Sequence, residues 1–97
     1  MPAVQKKIKE INEKDIRLRL VGTVIDCHNG SMLLDDGTGQ AEIIMSVEGI
    51  EKDLIKVGNF VRIFAHVLRL ENNYELRAEI VQNLSDVDKR LYKRIYG

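Results

Sequence analysis

The chain predicts an all-β fold: a five-stranded Greek-key barrel with a short helix between strands three and four and a second helix at the C-terminus. Three observations predict it. Apolar and polar residues alternate over five separate runs, the period of two that a half-buried strand shows. Gly, Asn and Asp cluster between those runs, as tight turns require. Two further segments, 47–57 and 84–95, replace alternation with apolar residues every three or four positions, the stripe of an amphipathic helix.

Residues 1–14 form a lead-in in which Ile8 and Ile11 sit among polar neighbours, compatible with a helical turn or an extended arm. Residues 15–84 are the barrel. Its first strand, 15–27, alternates Ile16, Leu18 and Leu20 with Arg17 and Arg19, and the alternation lapses around Gly22, where a bulge or bend is expected. His28-Asn29-Gly30 is a turn. The second strand, 31–35, puts Met32 and Leu34 on one face; Asp36-Gly37-Thr38-Gly39 turns the chain, and the third strand, 40–46, presents Ala41, Ile43 and Met45. Ile50, Leu54 and Val57 give the helix over 47–57, which Gly58 ends. In the fourth strand, 60–70, Val61, Ile63, Ala65 and Val67 point inward and Phe60, Arg62, Phe64, His66 and Leu68 outward. Glu71-Asn72-Asn73 turns into the fifth strand, 74–81, with Tyr74, Leu76, Ala78 and Ile80 on one parity. Ser85 is an N-cap for the C-terminal helix, 85–97, with Asp86 and Asp88 near its start and Lys89, Arg90, Lys93 and Arg94 toward its end. Leu84, Val87, Leu91 and Ile95, with Tyr92 beside them, form a continuous apolar stripe. This order of elements is that of the oligonucleotide/oligosaccharide-binding (OB) barrel.

Composition excludes several function classes. The 97 residues suit one small domain. A single cysteine, Cys27, rules out an internal disulfide framework and reads as a small half-buried strand residue. No run approaches the ~18 apolar residues of a membrane span, and the N-terminal residues lack the apolar core of a signal peptide. A cytoplasmic protein is expected, or a nuclear one in a cell with a nucleus. Net charge is zero, but the barrel segment is acidic and both ends are basic, the reverse of what a domain living by phosphate contacts should show. No nucleophile–base set or phosphate loop is present, and Asp35-Asp36 before Gly-Thr-Gly reads as turn chemistry rather than catalysis. His28 and His66 have no ligands at metal spacing, so no metal, cofactor or enzymatic activity is expected.

Val21-Gly22-Thr23-Val24, Leu33-Leu34-Asp35-Asp36-Gly37-Thr38-Gly39, Val57-Gly58-Asn59-Phe60-Val61-Arg62-Ile63 and the stretch Ala78 to Asp86 together resemble the replication protein A class of single-stranded-DNA-binding OB domains, and within it the small subunits of the archaeal heterotrimer. The resemblance covers residues 4–95. It implies that the C-terminal helices of three subunits bundle together, a role that maps onto Leu84, Val87, Leu91, Tyr92 and Ile95. The DNA-binding members stack bases on barrel aromatics, whereas strands two and three here carry Met32, Leu33, Leu34, Ile43, Ile44 and Met45. Large subunits also hold zinc, which one cysteine and two histidines do not build.

The expectation is therefore a mainly architectural subunit that docks its C-terminal helix on larger OB-fold subunits and touches single-stranded DNA weakly or indirectly. That helix could instead fold back on its own barrel, or drive self-association in isolation. The alternative is a stand-alone module for single-stranded DNA or RNA, using Arg17, Arg19, Arg62, Phe64, Arg69 and Arg77; those arginines also fit a solvated strand face paired with carboxylates. An accessory domain of another nucleic-acid machine, such as a telomere-end complex, is a third reading.

Overall fold

The computed structural model describes residues 3–12, 14–28, 30–45 and 55–84. Six strands follow one another: β1 (Val4–Gln5), β2 (Arg17–His28), β3 (Ser31–Asp35), β4 (Gln40–Ile44), β5 (Phe60–Arg69) and β6 (Tyr74–Asn83), with one 3-10 turn, Ile8–Glu10, between β1 and β2. They form a mixed sheet in the order β1-β2-β3-β4-β6-β5, and β5 also pairs with β2. The β1–β2 and β4–β6 pairings are parallel and the rest antiparallel.

Alternation decides which residues fill the interior. Leu18, Leu20 and Val24 of β2 meet Met32 and Leu34 of β3, Ile43 of β4, Val61, Ile63 and Ala65 of β5, and Leu76, Ala78 and Val81 of β6 in one core, with Ile8 added from the 3-10 turn. The twelve-residue β2 serves two partners, pairing with β5 through its first half and with β3 through its second. The change of partner comes at Thr23, which pairs with both Phe60 and Asp35, and a bulge follows within the β3 pairing at Ile25, where the register steps from Val24↔Leu34 to Asp26↔Leu33. Gly22 keeps its parity and is not the bulge. A Cβ there would stand 2.6 Å from the carbonyl oxygen of Asp35, so glycine is needed for close backbone approach.

The Asp-Asp-Gly-Thr-Gly hairpin anchors the lead-in. Asp36 accepts hydrogen bonds from the backbone N–H of Ile8 (2.7 Å) and of Thr38 (2.8 Å) and from the Thr38 hydroxyl (2.6 Å). Lys9 N–H donates to Thr38 Oγ1 at 3.3 Å. Burial alone would raise the Asp36 pKa, but these donors outweigh it and hold the carboxyl below its ordinary value of 3.8. The 3-10 turn is thereby fixed where Ile8 enters the core.

The expected five-stranded barrel with two helices needs correction. The sheet has six strands, because Val4 and Gln5 pair with Leu18 and Arg19. It does not close as a continuous barrel: five-residue β4 overlaps β6 only at Ile43↔Leu76 and Ile44↔Arg77. No helix of seven residues or more occurs among the described residues. The helix expected over 47–57 lies mostly outside them, and its described end, Ile55 to Val57, is irregular and leads into a turn with Gly58 at φ 96°. The C-terminal helix expected over 85–97 lies wholly outside the described residues. No helix of the described residues is long and apolar enough to cross a membrane.

Candidate nucleic-acid interface

The outward parities of β2, β5 and β6 combine into one wall. Register places Arg17 beside His66 and His66 beside Arg77; Arg19 beside Phe64 and Phe64 beside Ile80; Val21 beside Arg62 and Arg62 beside Gln82. Gln5 of β1 extends the middle row, next to Arg19. Four of the six residues that the sequence assigns to nucleic acid thus lie on one face around a fifth, Phe64. The sixth, Arg69, stands apart at the end of β5, opposite Tyr74.

The arginines differ in what they touch. Arg17 faces Glu79, with Nε 3.3 Å from Oε1, and His66 Nδ1 lies 3.6 Å from that same oxygen. Arg77 Nε donates to Glu75 Oε2 at 2.7 Å. These two are ion-paired, as a solvated strand face predicts, and such exposed pairs contribute only about 0–1 kcal/mol. Arg62 Nε instead donates to Gln82 Oε1 at 2.7 Å, and Arg19 Nη2 to Gln5 Oε1 at 2.9 Å. An amide orients a guanidinium without neutralising it. Arg19 and Arg62 therefore have no carboxylate partner among the described residues, and both adjoin half-buried Phe64. Arg19 Nε is itself buried with no hydrogen-bond partner among the described residues. Lys6 does not add to the wall, because its Nζ lies 2.7 Å from Asp15. Burial pushes the Asp15 pKa up, but that lysine's hydrogen bond and charge and the Asn12 N–H bring it below the ordinary carboxylate value.

Periodicity alone misplaces two side chains. It puts Ile80 on the inward parity of its strand, yet Ile80 is 51% exposed on the wall. The register runs Phe64↔Ile80 and then Ala65↔Ala78, so Glu79 is an extra residue that shifts the parity and turns Val81 inward. Phe60, on the outward parity, is buried (3% exposed). Tyr74 reaches the surface at the β5–β6 turn.

Of the partner-binding stripe, only Leu84 is described. It is half-buried in irregular backbone, and its N–H donates to the Phe60 carbonyl at 2.7 Å, so it continues its own sheet. Val87, Leu91, Tyr92 and Ile95 lie outside the described residues. No helix among the described residues offers a surface for assembly, and the reading as a subunit docked on larger OB-fold partners through such a helix does not stand. Cys27 packs at the core edge, its Sγ 3.5 Å from the Ile55 carbonyl oxygen. Among the described residues, no three His, Cys, Asp or Glu side chains group as metal ligands.

No family model matches the chain, and no curated protein matches it. Solved structures do. The telomere capping protein Ten1 from Saccharomyces pombe superposes with a TM-score of 0.75 at 20% identity, over 97% of this chain and 93% of that one. A replication protein A heterotrimer bound to ssDNA gives 0.63 at 19% identity, over 82% of this chain and 66% of that one. The second OB-fold domain of replication protein A from Methanococcus maripaludis gives 0.61 at 14% identity, over 84% and 95%. Likeness at these identities concerns architecture: the chain has an OB-like fold of the kind seen in these proteins.

Proposed function

We propose that the chain is a non-catalytic OB module that binds single-stranded DNA or RNA on the outer wall of β2, β5 and β6. One observation carries the reading: Arg19, across the strand pair from Phe64, and Arg62, two residues before Phe64 on β5, are oriented by the neutral side chains of Gln5 and Gln82 and have no carboxylate partner among the described residues. A cationic strip with an aromatic ring at its centre suits a phosphate backbone whose bases stack or pack beside it. Arg17 and Arg77, held by Glu79 and Glu75, flank the strip. Nearby proteins of this fold are described as a telomere capping protein and as replication protein A bound to ssDNA, which supports nucleic acid as the ligand class.

Anisotropy of a fluorescent twelve-nucleotide oligothymidylate, titrated with the full chain at several salt concentrations, tests this. Binding is expected at low salt. Each single-strand phosphate that a side chain neutralises adds about 0.7 to the slope of log K against log salt, so Arg19→Gln with Arg62→Gln should reduce that slope by about 1.4. Absence of binding at low salt, or a slope untouched by the double substitution, contradicts the proposal.

A further inference from the structure

The β4–β6 seam opens into a surface cleft unrelated to the arginine wall. Pairing between the two strands begins at Ile43↔Leu76. Before that point Gln40, Ala41 and Glu42 pair with Asp35, Leu34 and Leu33 of β3 along one edge and with no strand of the described residues along the other. The gap continues into a cleft of about 520 Å³ with a mixed lining, in which Ile8, Ile11, Ile44, Leu70, Tyr74 and Leu76 are the large apolar residues and Gln40, Glu42, Asn73 and Glu75 the polar ones. Leu70 and Tyr74 stand 45% and 37% exposed at the β5–β6 turn. This size falls in the range of ~300–1,000 Å³ seen for ligand clefts.

The charge of the lining selects the occupant. Glu42 and Glu75 border the cleft, and no Lys, Arg or His is among its lining residues. Glu75 is shared with Arg77, 2.7 Å away, while Glu42 has no hydrogen bond or ion pair with the described residues. A polyanion meets repulsion here, and so does an acidic peptide. The open strand edge offers main-chain pairing to an extended segment, and the apolar residues of the mixed lining offer a seat for alternate side chains.

We infer that this cleft docks an extended segment of a partner protein in which apolar side chains alternate with Lys or Arg. The segment adds beside residues 40–42, its apolar side chains enter between Tyr74, Leu70 and Ile44, and its cations meet Glu42. The inference does not depend on the nucleic-acid reading, since it uses a different surface and a ligand of opposite charge.

The test uses two fluorescent, end-blocked hexapeptides, one alternating leucine with lysine and one alternating leucine with glutamate, titrated into the full chain. The lysine peptide is expected to bind about tenfold more tightly, because like charges across an interface are strongly disfavoured. Glu42→Gln should weaken it roughly two- to fivefold, the range of an exposed ion pair, and Glu42→Lys should erase the preference. Both variants change an exposed side chain, and an unchanged thermal midpoint shows that the fold is retained. Equal affinity for the two peptides, or binding indifferent to both Glu42 substitutions, overturns the inference. Displacement of the lysine peptide by oligothymidylate overturns it too, by making the cleft part of the nucleic-acid surface.

Discussion

The β2–β5–β6 wall and the β4–β6 seam are cut from one sheet, yet they behave as opposites. In the wall β2 meets β5 over seven residue pairs and β5 meets β6 over nine, so the inward side chains Leu18, Leu20, Val61, Ile63, Ala65, Leu76, Ala78 and Val81 are buried and the outward ones of the paired residues stand in rows. In the seam two pairs suffice to join the strands, and beyond them apolar residues open to solvent. Long pairing makes a rigid surface on which charge can be arranged; short pairing leaves a groove that a further strand can complete. The charges follow the same division. Arg19 and Arg62 stand on the wall with amide partners, and Glu42 stands at the groove.

Substitutions should widen or narrow this contrast by predictable amounts. Ile63 is fully buried beneath the wall, and Ile63→Ala should cost about 2–5 kcal/mol in chemical denaturation, whereas Leu70→Ala at the cleft mouth should stay within about 0.5 kcal/mol. Gly22→Ala drives a methyl against the Asp35 carbonyl, at a cost of about 1–3 kcal/mol on the same measurement. Asp36→Asn should lower stability at neutral pH by about 1 kcal/mol as charge-assisted hydrogen bonds to the lead-in weaken. The pH dependence has a definite sign. The folded pKa of Asp36 lies below its ordinary 3.8, so its contribution is full above that value and disappears as pH falls through the lowered folded value. Unfolding curves between neutral and acidic pH should therefore show the gap between wild type and Asp36→Asn closing on acidification. The smallest effect belongs to Arg17→Gln, which removes the exposed pair with Glu79 and should change stability by less than about 1 kcal/mol.

Much of the fold is legible in the sequence because alternation is a local signal. Leu18 and Leu20, Met32 and Leu34, and Val61, Ile63 and Ala65 all point inward as their spacing requires. Bulges are not local, since a bulge is a mismatch between two strands. Glu79 looks like one residue of a regular strand, and nothing in its own sequence shows that β5 passes one residue fewer; periodicity misplaces Ile80 for that reason. Gly22 carries the reverse error: a glycine suggests a bend, while its actual cause is the nearness of Asp35 in another strand. Summation hides the basic wall. Residues 15–84 are acidic in total, but register gathers Arg17, Arg19, Arg62 and Arg77 on one face. The cleft has no sequence signal at all, because it depends on how far β4 overlaps β6.

Nuclear magnetic resonance mapping of the isotope-labelled chain with unlabelled oligothymidylate tests the central claim most directly. Binding through the wall predicts the largest amide shifts at Arg19, Arg62, Phe64 and Ile80, with Gln40, Ala41 and Glu42 nearly still. Shifts gathered along the seam instead, with the Arg19–Phe64–Ile80 row unmoved, would contradict it.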